Sequence, residues 1–329
     1  MSTIKAKSKP RLDTDTPWKE IMDVYFEDFV AFCWPSKYSE IDWEKGYKSL
    51  DKEVKKITRN APVGNRVADK VMEVWHKNGQ KAAILVHIEI QGRQRKSEQD
   101  IGERMLVYRY RLRDLYNTPI ASVVILIDND PEWRPTSYKE EFWGSSLEVR
   151  FSVIKLLDYK ARIPELEMSS NRFAPVILAQ LAVLDKQDPQ AKLATKIRLT
   201  RSLYLRGWTK DDILTLYRFI DWIMVLPSEL EVEYQEAIEQ FEEEEVNMGY
   251  ITTAERLGIK KGIEQGIEQG RQEGVQQGES TFLLRLLERK FKIIPESYRQ
   301  KIVHANPDIL LTWGERVLES HALEDVFEA

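Results

Sequence analysis

Apolar and polar positions change period several times along the chain, and each change marks an element. Around residues 67–91, VADKVMEVWHKNGQKAAILVHIEIQ, the period is that of strands. The first run, from about Val67 to His76, is rich in β-branched and apolar residues and predicts a strand. The second, Lys81 to Gln91, alternates: Ala82, Ile84, Val86, Ile88 and Ile90 form one face, while His87, Glu89 and Gln91 point the other way. Asn78-Gly79 marks the turn between them. A strict two-residue turn would pair Lys77 with Gln80 and set Asp69 opposite Ile88. An odd loop, Lys77-Asn78-Gly79 with Gly79 left-handed, pairs His76 with Gln80 and sets Asp69 opposite His87, diagonal to Glu89. The odd loop also gathers Ala68, Met72 and Val74 beside Ile84, Val86 and Ile88, so it is the predicted connection.

Helical spacing precedes and follows this hairpin. Trp18, Ile21, Met22, Tyr25, Phe29 and Cys33 predict a helix over 17–33, with Cys33 in the core rather than a nucleophile. A second helix is predicted over 44–59. After Gln91, residues 97–116 predict a helix with Met105, Leu106, Leu112 and Leu115 on its buried side and Arg104, Tyr108 and Arg111 on one stripe. Ile120 to Asp128 reads as a buried strand, which after a helix implies a crossover and a mixed sheet. Asp128, beside Asn129, is read as a turn former. Leu147 to Tyr159 reads as a further strand. From 172 the pattern is helical: FAPVILAQLAVL, AKLATKIRLTRSLYLRG and KDDILTLYRFIDWIMVL give three helices, with Gly207 as a C-cap and Thr209 as an N-cap. Residues 229–245 hold nine glutamates and no Lys or Arg, a solvated acidic segment. Six glycines, 258, 262, 266, 270, 274 and 278, recur every four residues. They fit either a flexible linker or a helix approached closely by a second one. Residues 281–329 return to amphipathic helices. His304 and His321 lack metal-ligand spacing.

Composition narrows the classes of function. Hydrophobic residues at 42% and charged residues at 31% of 329 positions are ordinary for about two soluble domains. No apolar run approaches a membrane span, the start lacks a signal-peptide core, and a single cysteine favours a reducing, cytoplasmic setting. A net charge of −5 means that any polyanion site is local. One such local excess is visible: residues 93–113 carry seven basic side chains against three acidic ones, next to the polar end of the second strand. The same cations also fit ion pairing within the helix. The tail 1–15 carries Lys5, Lys7, Lys9 and Arg11 among small polar residues. Two carboxylates, Asp69 and Glu89, on one face can hold a hard divalent ion. No Ser-His-Asp arrangement, zinc cluster or P-loop is present.

Asp69, then Glu89-x-Gln91 across a hairpin, then a helix bearing Arg and Tyr, resembles the PD-(D/E)XK nuclease superfamily. Within it the likeness is to the recombination-promoting nuclease and transposase-like group, whose pattern ends in Glu-x-Gln. The likeness is strongest over residues 18–160. It implies a restriction-endonuclease-like mixed sheet flanked by helices, followed by an α-helical C-terminal region. Domains are expected at 16–165 (nuclease-like), 166–245 (helical extension), 246–279 (glycine repeat) and 280–329 (small helical domain, also known in this group), after a basic tail at 1–15. It also implies Mg²⁺ or Mn²⁺ held by Asp69 and Glu89. Gln91 and an early-helix carboxylate, Glu53 or alternatively Asp51, would complete the catalytic set, with DNA held by Arg104, Tyr108 and Arg111. The strand opens Ala68-Asp69 rather than Pro-Asp, and Gln91 stands where much of the superfamily has a charged lysine. The expected activity is metal-dependent DNA endonuclease linked to recombination or mobile elements, with homo-oligomers forming through 258–278. The alternative is an inactive DNA-binding or scaffold protein.

Overall fold

A computed structural model describes residues 15–50, 69–90, 98–185, 187–244, 253–320 and 322–327; at Asp69 and Glu89 the description extends to the backbone. The chain divides into two compact units, one spanning 14–259 and one that contains 260–329.

The first unit is mixed α/β. A five-stranded sheet runs in the order β1-β2-β3-β4-β7. Its strands are β1 (Lys48–Ser49), β2 (Asp69–Trp75), β3 (Lys81–Ile90), β4 (Ile120–Ile127) and β7 (Ser152–Lys155). β1, β2 and β3 pair antiparallel, while β3, β4 and β7 pair parallel. The crossover between β3 and β4 carries α4 (Glu98–Tyr116), as a parallel connection requires. One side of α4 is apolar at Ile101, Met105, Tyr108 and Leu112, at alternating steps of four and three. It packs on Val71, Ala83, Leu85, Ile120, Val124 and Leu126 of the sheet. On the opposite face of β2, Lys70 is fully buried and pairs with Asp23 at 2.5 Å. Asp23 belongs to α1 (Asp15–Val24), which covers that side.

Sequence periodicity predicts one helix over 17–33; the structure has two, α1 and α2 (Phe26–Cys33), meeting at Tyr25. The break lets Trp18 of α1 and Phe29 of α2 both pack on Phe173, while the Trp18 indole donates to Gln180. Cys33 is half-buried rather than in the core, and desolvation pushes its thiol up to about 12, which does not suit nucleophilic attack. A short helix, α3 (Pro35–Tyr38), follows. The helix expected from Glu44 is absent at its start: Trp43–Lys45 is a 3-10 turn, and Lys48–Ser49 joins the sheet as β1. Pairing with β2 outweighs the helical pattern there.

The strand expected over 147–159 is two strands in two sheets. β6 (Ser145–Arg150) pairs with β5 (Ser137–Phe142) in a separate hairpin. The chain turns at Phe151 to enter β7, and a 3-10 segment, Leu156–Arg162, replaces the rest. The base of this hairpin sits on α4 at Gly102, where an added Cβ would lie 2.9 Å from the Tyr138 Cβ. After α5 (Ile163–Met168), four helices complete the unit: α6 (Ala174–Leu184), α7 (Pro189–Tyr204), α8 (Lys210–Ile223) and α9 (Ser228–Glu244). Thr209 caps α8 in a reciprocal capping box with Asp212, and Gly207 takes φ +67° in the preceding turn. The acidic stretch is not merely solvated. Its Leu230, Tyr234, Ile238 and Phe241 are buried, and its Glu231 meets the buried Lys196 of α7, which also bonds Asp221 at 2.6 Å.

The second unit holds most of α10 (Thr253–Phe291), then α11 (Glu296–His304), α12 (Pro307–Glu319) and α13 (Leu323–Phe327). The glycine repeat lies within the continuous helix α10. Leu283, Leu287, Ile294, Ile302, Leu310, Val317 and Val326 form this unit's core.

Candidate functional site

The hairpin between β2 and β3 determines where the candidate acids stand. His76 N–H donates to Gln80 at 2.8 Å, Gly79 N–H donates to His76, and Gly79 takes φ +87°. The Asn78 side chain accepts from Gln80 N–H at 2.9 Å and braces the loop. The loop therefore has three residues, with the left-handed position given to the one residue without a Cβ. The resulting register places Asp69 opposite His87 and Val71 opposite Leu85. Side chains two residues apart share a face, so positions 69, 87 and 89 all belong to the face that carries Val71 and Leu85. That is the face covered by α4.

Between them lies His87, fully buried. Arg104 of α4 reaches the sheet there, its Nη1 3.3 Å from His87 Nε2, with Arg104 itself only 4% exposed. Tyr108, one turn along, is 7% exposed and belongs to the core, whereas Arg111 is half-buried. The stripe Arg104, Tyr108, Arg111 thus winds from the sheet-facing side of α4 towards solvent. Two of its three members face inward. Leu115, expected on the buried side, is exposed, and Ile101 and Tyr108 occupy that side instead. Arg109 donates to the carbonyl of Ile120 and holds the start of β4.

A second buried charge lies at the same end of the sheet. Asp128 follows β4 and Lys155 ends β7, both with fully buried side chains. Lys155 Nζ donates to both carboxylate oxygens at 2.7 Å and to the Trp133 carbonyl at 3.2 Å. Asp128 also accepts from Asp130 N–H at 2.9 Å, the turn expected from sequence. Because Glu89 pairs with Leu126 and Leu126 with Lys155, this ion pair is level with the end of β3. Its satisfied hydrogen bonds mark it as a staple between the parallel strands.

Glu53, Asp51 and Gln91 lie outside the described residues. Among the described residues, no group of three His, Cys, Asp or Glu side chains is placed to hold a metal. What bears on a metal is the register: two acid positions on one face, one strand apart, a donor chemistry that fits a hard divalent ion with water completing its shell. Sequence reading picked out His87 as part of the polar end of β3 but gave no signal of its bond to Arg104, nor of the Lys155–Asp128 pair. Both form between residues brought together only by the sheet. Comparison with family models, with curated proteins and with solved structures finds no match to this chain.

Proposed function

We propose that the protein is a metal-dependent DNA endonuclease, with Asp69 and Glu89 as the ligands of a Mg²⁺ or Mn²⁺ ion. The observation that carries this reading is the β2–β3 register, which puts both acid positions on one face beside a buried arginine. When bound, the ion would polarise a phosphodiester and lower the pKa of a coordinated water. Gln91 would orient that water by hydrogen bonding, and Glu53 would add a carboxylate from the segment before β2. Arg111, the half-buried member of the α4 stripe, would meet a neighbouring phosphate. Recombination or mobile-element DNA is the proposed setting, a reading that rests on the sequence resemblance.

The continuous helix α10 supports association of two copies. Cβ atoms added at Gly258, Gly262, Gly274 and Gly278 would meet nothing within 4 Å, so a partner helix could approach at these four positions. Four-residue spacing advances each glycine by about 40° around the helix, which favours a short crossing over a long coiled coil. Two sites would then address the two strands of a duplex.

The test is conversion of supercoiled plasmid with Mg²⁺, with Mn²⁺ and with EDTA, by wild type, Asp69→Ala and Glu89→Ala. Ion-dependent nicking that both substitutions abolish supports the nuclease reading. Cleavage retained in both variants contradicts it. DNA binding without cleavage under any condition would favour the inactive alternative.

A further inference from the structure

We propose that Arg104 and His87 form a positioning pair behind the acid positions, in which Arg104 holds the imidazole in the tautomer that offers a proton to a metal-binding carboxylate. The inference rests on the metal reading of Asp69 and Glu89 and assigns Arg104 a role other than phosphate binding. Three observations carry it. First, His87 is fully buried and Arg104 4% exposed, so neither stands on a surface that a duplex would press against. Second, Arg104 Nη1 lies 3.3 Å from His87 Nε2. A guanidinium has donors and no acceptor, so Nε2 must be the accepting nitrogen. The ring proton is then on Nδ1. Third, His87 is directly across the strand pair from Asp69 and two residues before Glu89 on the same face.

An N–H donor at that place would fix a carboxylate's rotamer and leave its other lone pairs for an ion. Metal sites depend on such outer hydrogen bonds to orient their ligands. His87 touches no substrate in this account. It is a positioning residue that acts through the carboxylate, and Arg104 acts through His87. The packing of α4 supplies the rigidity: Ile101 and Tyr108, about one turn before and one turn after Arg104, are in the core with Val71 and Leu85.

The full-length chain has four histidines, so a two-bond ¹H–¹⁵N histidine spectrum is readable, with His87 assigned by its loss in His87→Gln. Wild type should show the proton of His87 on Nδ1 and Nε2 as the accepting nitrogen. Arg104→Met should lose that signature, and Arg104→Lys, which keeps a donor, should retain it. Calorimetric titration with Mn²⁺ in the absence of DNA should show affinity falling by about 10- to 100-fold in Arg104→Met and in His87→Gln, with rescue in Arg104→Lys. Should one variant fail to fold, as judged by its melting transition, the other still carries the test. A wild-type His87 protonated on Nε2 overturns the proposal, as does a folded Arg104→Met or His87→Gln variant that binds Mn²⁺ like wild type. A wild type that binds no Mn²⁺ overturns the metal reading itself, and this inference with it.

Discussion

The α4 side of the sheet and the core of the C-terminal unit are both well buried, yet they differ in what they bury. Beneath and beside α4 lie His87, Arg104, Asp128 and Lys155, two of them ending parallel strands. In the C-terminal unit the core is aliphatic and aromatic, and Ser280 is its one buried polar residue among those described. Burying a charge costs free energy unless it is paired and hydrogen-bonded. A chain that needed only stable packing could fill these positions with aliphatic side chains, as the C-terminal core does with Leu, Ile and Val. The buried polar groups at one end of β3, β4 and β7 therefore distinguish this part of the sheet from the apolar C-terminal core.

The largest expected effect sharpens that contrast. Lys155→Ala leaves Asp128 buried without its cation and should destabilise the first unit by about 3–5 kcal/mol. The double substitution Asp128→Leu with Lys155→Met should recover most of that loss. Chemical denaturation of the three chains checks both outcomes. In the C-terminal unit, Leu287→Ala removes a fully buried side chain and should cost about 2–5 kcal/mol through the cavity it leaves. Mn²⁺ binding to the first unit should be unchanged, and a loss of binding there would break the division of labour. Smaller still, Thr209→Ala removes the hydroxyl that accepts from Asp212 N–H in the α8 capping box, leaving the backbone half, and should lower stability by about 1 kcal/mol in a thermal melt. For DNA, Arg111→Ala should flatten the logarithmic salt dependence of binding by about one unit, the signature of one lost phosphate contact, whereas Arg104→Lys should leave the slope unaltered. Light scattering should show residues 1–250 in a lower oligomeric state than the full chain. Equal masses would leave the glycine stripe of α10 without that role.

How much of this was readable in the sequence depends on whether the governing interaction is local. The β2–β3 register followed from side-chain parity and one glycine, because a one-residue slip would turn Met72 and Val74 away from Ile84 and Val86. The capping box at Thr209 and the strand at Ile120–Ile127 were equally legible. β5 was not: Ser-Tyr-Lys-Glu-Glu-Phe has no apolar run, and it is a strand because β6 pairs with it. That pairing also cuts the apparent strand 147–159 at Phe151. In the candidate site, Asp69 and Glu89 stood out as acids on strands, while the orientation of Arg104 did not. A basic residue on a helix reads as exposed until the sheet beneath it is known to offer His87.

The central claim, that positions 69 and 89 share one divalent ion, is tested most directly by replacing that ion with Fe²⁺ and generating hydroxyl radicals with ascorbate and peroxide. Backbone scission mapped by mass spectrometry should fall on both strands of the hairpin, near Asp69 and near Glu89, and should disappear in Glu89→Ala or with excess Mg²⁺. Cuts confined to another part of the chain, or an Fe²⁺-dependent pattern unaltered in Glu89→Ala, would contradict the account.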